Sequence, residues 1–286
     1  MENNHKLKAE TRLLALDLDG TLLTDEKQLT PRGAESVHRA VESGITVALV
    51  TGRPLSGIPE PVMALPGIRY VITSNGAITT DLQSGKKLRT ACIDRAAARE
   101  IARIPMERDL VHSAFIDGAG YCEPHYFELQ WQFFAGKPQE SYIRASRRRT
   151  DDLISLMDGS EAGVENIWFI TRSRSKRNEL AEMINSRWDV KTVLTTPTDV
   201  EVGDPGADKG LALRELSESL GIDRNGIVAI GDNDNDLGML KAAGTAVAMG
   251  NALKRVKEIA DIITDSNDED GAAKVIEWLA EEKLRR

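Results

Sequence analysis

Four short apolar runs in this sequence each end in a polar cluster. Leu13–Leu16 is followed by Asp17-Leu18-Asp19-Gly20-Thr21, and Ile45–Val50 by Thr51-Gly52-Arg53-Pro54. Tyr70–Ile72 is followed by Thr73-Ser74-Asn75-Gly76, and Ile227–Ile230 by Gly231-Asp232-Asn233-Asp234-Asn235-Asp236. If the runs are neighbouring strands, their polar ends meet along one edge. Asp17 and Asp232 then become adjacent carboxylates from different strands, which repel unless a cation lies between them. Oxygen-only ligands favour Mg2+ over zinc, and Mg2+ commonly takes carboxylates, several waters and substrate phosphate. The arrangement therefore suits a Mg2+-bound phosphate ester. An isolated Asp-x-Asp says little, since it also forms the metal pair of sugar-nucleotide glycosyltransferases. Here it directly follows an apolar run, precedes a Gly-Thr turn, and is joined by Thr51-Gly52-Arg53, Lys209-Gly210 and a second acidic cluster.

The elements that must position these residues are legible. The runs, with Ala246–Met249 and Ile262–Ile263, are mostly four to six residues, aliphatic and without alternation. That is the pattern of strands buried on both faces. Between the first two lies Pro31–Ser43, with Thr30-Pro31 as an N-cap and first-turn pair and Gly44 as the terminating glycine. Residues 12–50 thus read as strand, loop, helix, strand, the unit of a parallel sheet. A second series follows: helices at Lys209–Leu220, Asp234–Ala243, Ala252–Ala260 and Gly271–Leu284, alternating with strands. In such open sheets the ligand lies outside the carboxyl ends of the strands.

The middle of the chain differs. Eleven of the thirteen aromatic residues fall between 82 and 198, leaving only Tyr70 and Trp278 outside. This shift argues for an insertion. The expected organisation is α/β: a discontinuous Rossmann-like core of 1–81 and 198–286 with an inserted α/β domain at 82–197. No fixed-period repeat or low-complexity segment occurs. Arg147-Arg148-Arg149 reads as a solvated helix face, with substrate or partner binding as the alternative.

The 286 residues suffice for one large domain or two smaller ones. A formal net charge of -8 gives no broad electrostatic reason to seek nucleic acid or an anionic membrane. The two cysteines, Cys92 and Cys122, fit no zinc spacing and read as reduced thiols. No stretch approaches a membrane span, and the first ten residues lack the apolar run of a signal peptide. A soluble, cytoplasmic protein is expected.

Asp17-x-Asp19-Gly20-Thr21-Leu22, Thr51-Gly52-Arg53, Lys209-Gly210 and Gly231-Asp232-Asn233-Asp234-Asn235-Asp236-x-x-Met239 resemble, in this order, the four motifs of the haloacid dehalogenase-like hydrolases. Ser74-Asn75-Gly76-Ala77, Ala248-Met249-Gly250-Asn251-Ala252 and Asp268-Glu269-Asp270-Gly271 look like the Cof-type sugar-phosphate phosphatases within them. The resemblance covers roughly 12–81 and 198–284. The middle segment is similar only in position and size, which suit the family's larger cap.

The resemblance implies roles. Asp17 would be the nucleophile, forming an aspartyl-phosphate. Asp19 would be general acid and base, its backbone carbonyl rather than its side chain binding Mg2+. Asp232 would complete the magnesium ligands with Asp17, and Asp236 would support the metal shell. Asp234 reads better as the N-cap of the following helix. Thr51 with the Gly52 amide, Lys209 and Asn235 would bind phosphate. Arg53 would touch substrate or tie down its loop, and Asn75 lies at a strand end beside the site. Tyr126, Trp131, Phe133 and Phe134 read as core of the insertion before they read as a sugar platform. His112 and His125 read as structural.

The implied activity is hydrolysis of a small, sugar-like phosphomonoester. A phosphotransferase or phosphomutase on the same scaffold differs only in passing the phosphoryl group to another hydroxyl. A non-catalytic sugar-phosphate sensor would not need the complete set of catalytic groups. A glycosyltransferase would not need Lys209 or the second acidic cluster, and no Gly-x-x-x-x-Gly-Lys-Ser/Thr of a P-loop occurs.

Overall fold

The computed structural model describes residues 10–104, 110–194 and 196–285, so most of the polar N-terminal stretch lies outside the described residues. Contacts divide the chain into two compact units. The first draws on Met1–Gly52, Pro59–Arg89 and Asp208–Arg286, and the second on Arg53–Ile58 and Thr90–Ala207.

The strands in chain order are β1 (Leu13–Leu16), β2 (Thr46–Val50), β3 (Tyr70–Thr73), β4 (Ile78–Asp81), β5 (Lys86–Thr90), β6 (Val111–Ile116), β7 (Ala119–Cys122) and β8 (Arg147–Arg149). They continue with β9 (Val164–Ile170), β10 (Lys191–Val193), β11 (Asp199–Gly203), β12 (Ile227–Gly231), β13 (Thr245–Ala248) and β14 (Ile262–Ile263). The larger sheet has the order β14-β13-β12-β1-β2-β3-β4-β5. From β14 to β3 every pair is parallel, and β4 returns antiparallel to β3. β1 is central, with Leu13 opposite both Ile227 and Thr46. Its four residues are wholly buried, as a strand covered on both faces must be.

The chain builds outward from β1 through β2 to β3, then later in the opposite direction from β12 to β14. The order therefore switches between β1 and β12. A crevice opens at the carboxyl ends of such a pair, because the connections leave toward opposite sides. Asp17 and Asp232 are the residues that immediately follow those two strands.

Local chemistry sets the flanking helices. Thr30 caps Pro31–Glu42, its hydroxyl accepting from the Gly33 amide at 2.9 Å, and Gly44 turns the chain at φ +85°. The buried stripe Gly33, Val37 and Ala40 faces inward, and this helix packs against Gly271–Leu284.

The second unit holds a sheet of order β10-β11-β9-β6-β7-β8, in which β6, β9 and β11 pair antiparallel. One face packs Ala114, Ile116, Ile167 and Phe169 against Ile101, Leu153, Met157 and Ile184 of three helices. The other face collects Val111, Phe115, Trp168 and Ile170 with Leu129 and Ile143. Trp131, Phe133, Phe134 and Tyr142 pack against that second cluster, so most of the singled-out aromatics line core.

The arginine run departs from expectation. Arg147–Arg149 is not a helix face but β8, parallel to β7, and Arg147 is buried. Its side chain crosses Gly120, where a Cβ would approach its Cδ to 2.7 Å. Its guanidinium lies 4.5 Å from the ring centroid of Phe115 and 4.6 Å from that of Trp168. Strand alternation turns 147 inward and leaves Arg148 outside. The aromatic faces offset part of the desolvation of the buried cation.

His112 is also buried, edge-on to Tyr126 and stacked on Phe169, and burial lowers its pKa to about 4. It is a neutral core side chain. His125 packs edge-on against Tyr126. Both cysteines are free thiols. Among the described residues no helix is long and apolar enough to cross a membrane.

Candidate active site

The site is assembled from two strand ends and one helix start. Asp17 extends β1, its amide donating to the Ile230 carbonyl of β12 at 3.2 Å, and its side chain is buried. Lys209 opens the helix Lys209–Ser219. Asp208 caps that helix by accepting from the Gly210 and Leu211 amides at 2.9 and 3.1 Å. The cap fixes the direction in which Lys209 leaves the backbone. Its Nζ, fully buried, donates at 2.7 Å to Asp17 Oδ1 and at 2.7 Å to Asp236 Oδ1.

Asp236 is equally enclosed. Its Oδ2 accepts from the Asp232 and Asn233 amides, both at 3.0 Å, which folds the loop after β12 back on itself. Asn233 caps the turn Asp234–Asp236, and Asp236 closes the capping box. Asp234, expected to be the cap, is instead ion-paired with Arg255. The cap position falls one residue earlier because Asp236 reaches back to the Asn233 amide.

Asp17, Asp232 and Asp236 each offer a carboxylate oxygen within 4.8 Å of the others. Thr21, from the turn after β1, donates its hydroxyl to Asp232 Oδ1 at 3.1 Å. Gly20 between them has φ +81°, and a Cβ there would stand 2.7 Å from Asp232 Oδ2. Only glycine gives both the turn and the close approach.

Beside this cluster lie four more of the expected residues. Thr51 is buried, its amide donating to Ile72 at 2.8 Å and its carbonyl accepting from the Asn75 amide at 3.1 Å. A Cβ at Gly52 would meet Asn75 Oδ1 at 2.9 Å. Asn75 itself adopts φ +56°, a conformation asparagine tolerates, and its Oδ1 accepts from Asn235 Nδ2 at 3.0 Å. Asp19 is not one of the three clustered carboxyl groups: its side chain is partly exposed and pairs with Lys27 Nζ at 3.2 Å. Arg53 belongs to the second unit. There it is buried, donates to the Gly57 carbonyl at 2.7 Å and lies over the Tyr142 ring.

The electrostatics are unbalanced. Burial, and then the charge of Asp236, hold the Asp17 carboxyl well above the ordinary carboxylate range, against the pull of Lys209. The same two causes raise Asp232 to about 7. Burial opposes the charge on Lys209, yet Asp17 and Asp236 outweigh it and raise its pKa. One ammonium faces three carboxyl groups, so the cluster has room for a second cation. An all-oxygen set of hard donors fits a small divalent ion.

Several contributors carried no prominent sequence signal: Asp208, Thr21 as a partner of Asp232, and Lys27. Asp208 was accessible as an Asp one residue before a helical pattern. The capping box was accessible too, as Asn233 with Asp236 three residues on.

A mainly parallel sheet whose switch point carries a buried lysine among carboxyl groups, in an arrangement suited to a metal ion, places the chain in the α/β class with its site at the strand ends. The family model for haloacid dehalogenase-like hydrolases matches residues 14–276, and the chain belongs to that family, as a phosphatase. It is 30% identical over 275 residues to the 5-amino-6-(5-phospho-D-ribitylamino)uracil phosphatase YcsE of Bacillus subtilis, spanning 93% of this chain and 95% of that one. It is 29% identical to the pyridoxal phosphate phosphatase YbhA of Escherichia coli, over 93% and 97% of the two chains. A haloacid dehalogenase-like hydrolase crystal structure from Bacteroides thetaiotaomicron superposes with a TM-score of 0.77 at 29% identity, covering 94% and 99%.

Proposed function

We propose that this chain is a Mg2+-dependent phosphomonoesterase acting on a small, sugar-like phosphorylated metabolite through an aspartyl-phosphate on Asp17. The observation that carries the reading is Asp17 at the switch-point strand end, hydrogen-bonded to a fully buried Lys209. Membership of the family and the small phosphorylated substrates named for the relatives support the substrate class.

In this mechanism a carboxylate oxygen of Asp17 attacks phosphorus and the ester oxygen leaves, protonated by Asp19. Asp19 then takes a proton from the water that hydrolyses the aspartyl-phosphate, restoring Asp17. Lys209 keeps one Asp17 oxygen fixed and places positive charge beside the phosphoryl oxygens. Thr51, Gly52 and Asn235 offer hydroxyl, backbone and amide donors, with Asn75 orienting Asn235. Asp17, Asp232 and the Asp19 carbonyl would hold the metal, while Asp236, both of whose oxygens already accept hydrogen bonds, orders Lys209 and the Asp232 loop. Bound there, Mg2+ would neutralise charge on the phosphoryl oxygens and stabilise its build-up. Arg53 ties down its own loop through Gly57. The inserted segment, assigned to 82–197, selects the substrate.

A screen of phosphorylated metabolites with wild-type enzyme, compared by kcat/KM, tests the substrate class. Sugar and polyol phosphates should lead. Asp17→Asn should abolish turnover without altering the fold. Full turnover by that variant would overturn the nucleophile assignment.

A further inference from the structure

The turn that follows Asp19 holds a lysine in an unusual backbone conformation. Lys27 has φ +61°, the left-handed region that L-residues with long side chains seldom occupy. The turn is closed locally: the Lys27 amide donates to Thr24 O at 2.9 Å, and the Thr24 amide donates to Gln28 O at 3.0 Å. It is also tied down from the far end of the chain. Asn267 Nδ2 donates to Leu23 O and to Asp25 Oδ1, both at 3.0 Å, and the Asp25 amide donates to Asp268 Oδ1 at 2.9 Å. Leu23 bridges both Asp19 and Leu29, so this turn is built directly on the segment that carries Asp19.

The result is that the Lys27 ammonium reaches Asp19 Oδ1 at 3.2 Å, with the lysine side chain only 17% exposed against 38% for the aspartate. Neither local propensity nor the ion pair accounts for this. A left-handed lysine is unfavourable, and a partly exposed pair adds little stability. Strained conformations held in place by surrounding hydrogen bonds concentrate where geometry serves function.

We propose that Lys27 is a positioning residue for proton transfer. Through this contact it helps hold the Asp19 carboxyl in one orientation for both halves of the reaction. The inference rests on the reading of Asp19 as general acid and base.

Two esters separate the possibilities. p-Nitrophenyl phosphate has a leaving group that needs little protonation, whereas glycerol 2-phosphate has an alkoxide that requires it. Lys27→Gly removes the ammonium and fits the backbone, because glycine adopts positive φ without strain. This variant should be at least as heat-stable as wild type. Its kcat/KM on glycerol 2-phosphate should fall about tenfold or more, with p-nitrophenyl phosphate within about twofold of wild type. Lys27→Met should show the same split, and Lys27→Arg should retain most of the wild-type ratio. A Lys27→Gly enzyme whose ratio of the two activities matches wild type would overturn the proposal, whether both activities were kept or both fell together. Wild-type enzyme inert towards both esters would instead overturn the phosphatase reading, and this proposal with it.

Discussion

The Nζ of Lys209 donates to Oδ1 of Asp17 at 2.7 Å, with both side chains closed off from water. The same nitrogen makes an equal bond to Asp236, so one ammonium is shared by two buried carboxyl groups. This is costly to assemble, since each ion loses hydration that only good geometry repays. A core built for stability alone would be better served by apolar side chains. The arrangement makes sense where Asp17 must be held still and yet remain able to react.

Removing the ammonium should therefore expose both roles. Lys209→Met leaves Asp17 and Asp236 buried and unpaired, and breaking such a group costs about 3–5 kcal/mol. Denaturant unfolding of the metal-free variant should show a loss of that order. Saturating Mg2+ should recover part of it, because a cation returns to the cluster. Turnover of p-nitrophenyl phosphate should fall by a factor of about 100–1000, as when a preorganised charge is removed from a transition state. A Lys209→Met enzyme as stable and as active as wild type would rule out the shared-ammonium account.

The lysine is aimed by a contact between glycines. A Cβ on Gly210 would stand 2.4 Å from both the carbonyl carbon and oxygen of Gly238. Backbone cannot yield as a flexible side chain would, so Lys209–Ser219 would have to shift away from Leu237–Ala242. Gly210→Ala should cost about 1–3 kcal/mol, the usual range for overpacking. Its kcat should fall as well, because Lys209 is the preceding residue. Gly159→Ala is the control: nothing lies within 4 Å of its would-be Cβ, and stability should be unchanged or slightly higher. Equal effects of the two substitutions would argue against the close helix approach as the cause.

In the second unit, the Arg147 guanidinium spreads over Phe115 and Trp168 and donates to Ser146 Oγ at 2.7 Å. Arg147→Ala removes a fully packed side chain and its aromatic contacts. A loss of about 2–4 kcal/mol is expected, comparable to truncating other large buried groups. Thermal or denaturant unfolding measures it. Arg148→Ala, next in sequence but exposed, should change stability by less than about 0.5 kcal/mol. Losses below about 0.5 kcal/mol for both would restore the reading of the run as a solvated surface.

This pair of arginines marks where sequence reading stops. Strands β1, β2, β3, β12 and β13 were legible because burial on both faces leaves a continuous aliphatic run. The polar ends of β1 and β12 were legible because carboxylates there serve no packing purpose. Lys209 gained meaning only from its order among the other clusters. Arg147 is buried by rings from the adjoining helix Glu140–Ser146 and, far off in sequence, from β6 and β9, so three adjacent arginines looked like surface. Lys27 was invisible for a related reason: its left-handed backbone is imposed by Thr24 and by Asn267 and Asp268 from the far end of the chain. Asp234 was a closer miss, one residue from the true cap, decided by which side chain could reach back from Asp236.

The pH dependence of metal binding follows from Asp232. Burial and the neighbouring Asp236 raise this carboxyl from an ordinary 3.8 to about 7. A carboxyl group must be ionised to hold a cation, so Mg2+ binding below that value displaces a proton. Affinity should rise about tenfold per pH unit below 7 for one displaced proton, then level off above it. Calorimetric titrations in buffers of different ionisation enthalpy would register the released proton at pH 6 and little at pH 8.5. Without metal the sign for stability is the reverse. The folded state holds protons that the unfolded chain has lost, so stability should decline as pH rises from about 4 to about 7. Saturating Mg2+ should remove that decline. Thr21→Val sharpens the test, because the Thr21 hydroxyl donates to Asp232 Oδ1 and favours its ionised form. The variant should move the pH midpoint for metal binding upward. Metal affinity independent of pH between 5 and 8, in wild type and Thr21→Val alike, would exclude Asp232 as the ligand that titrates.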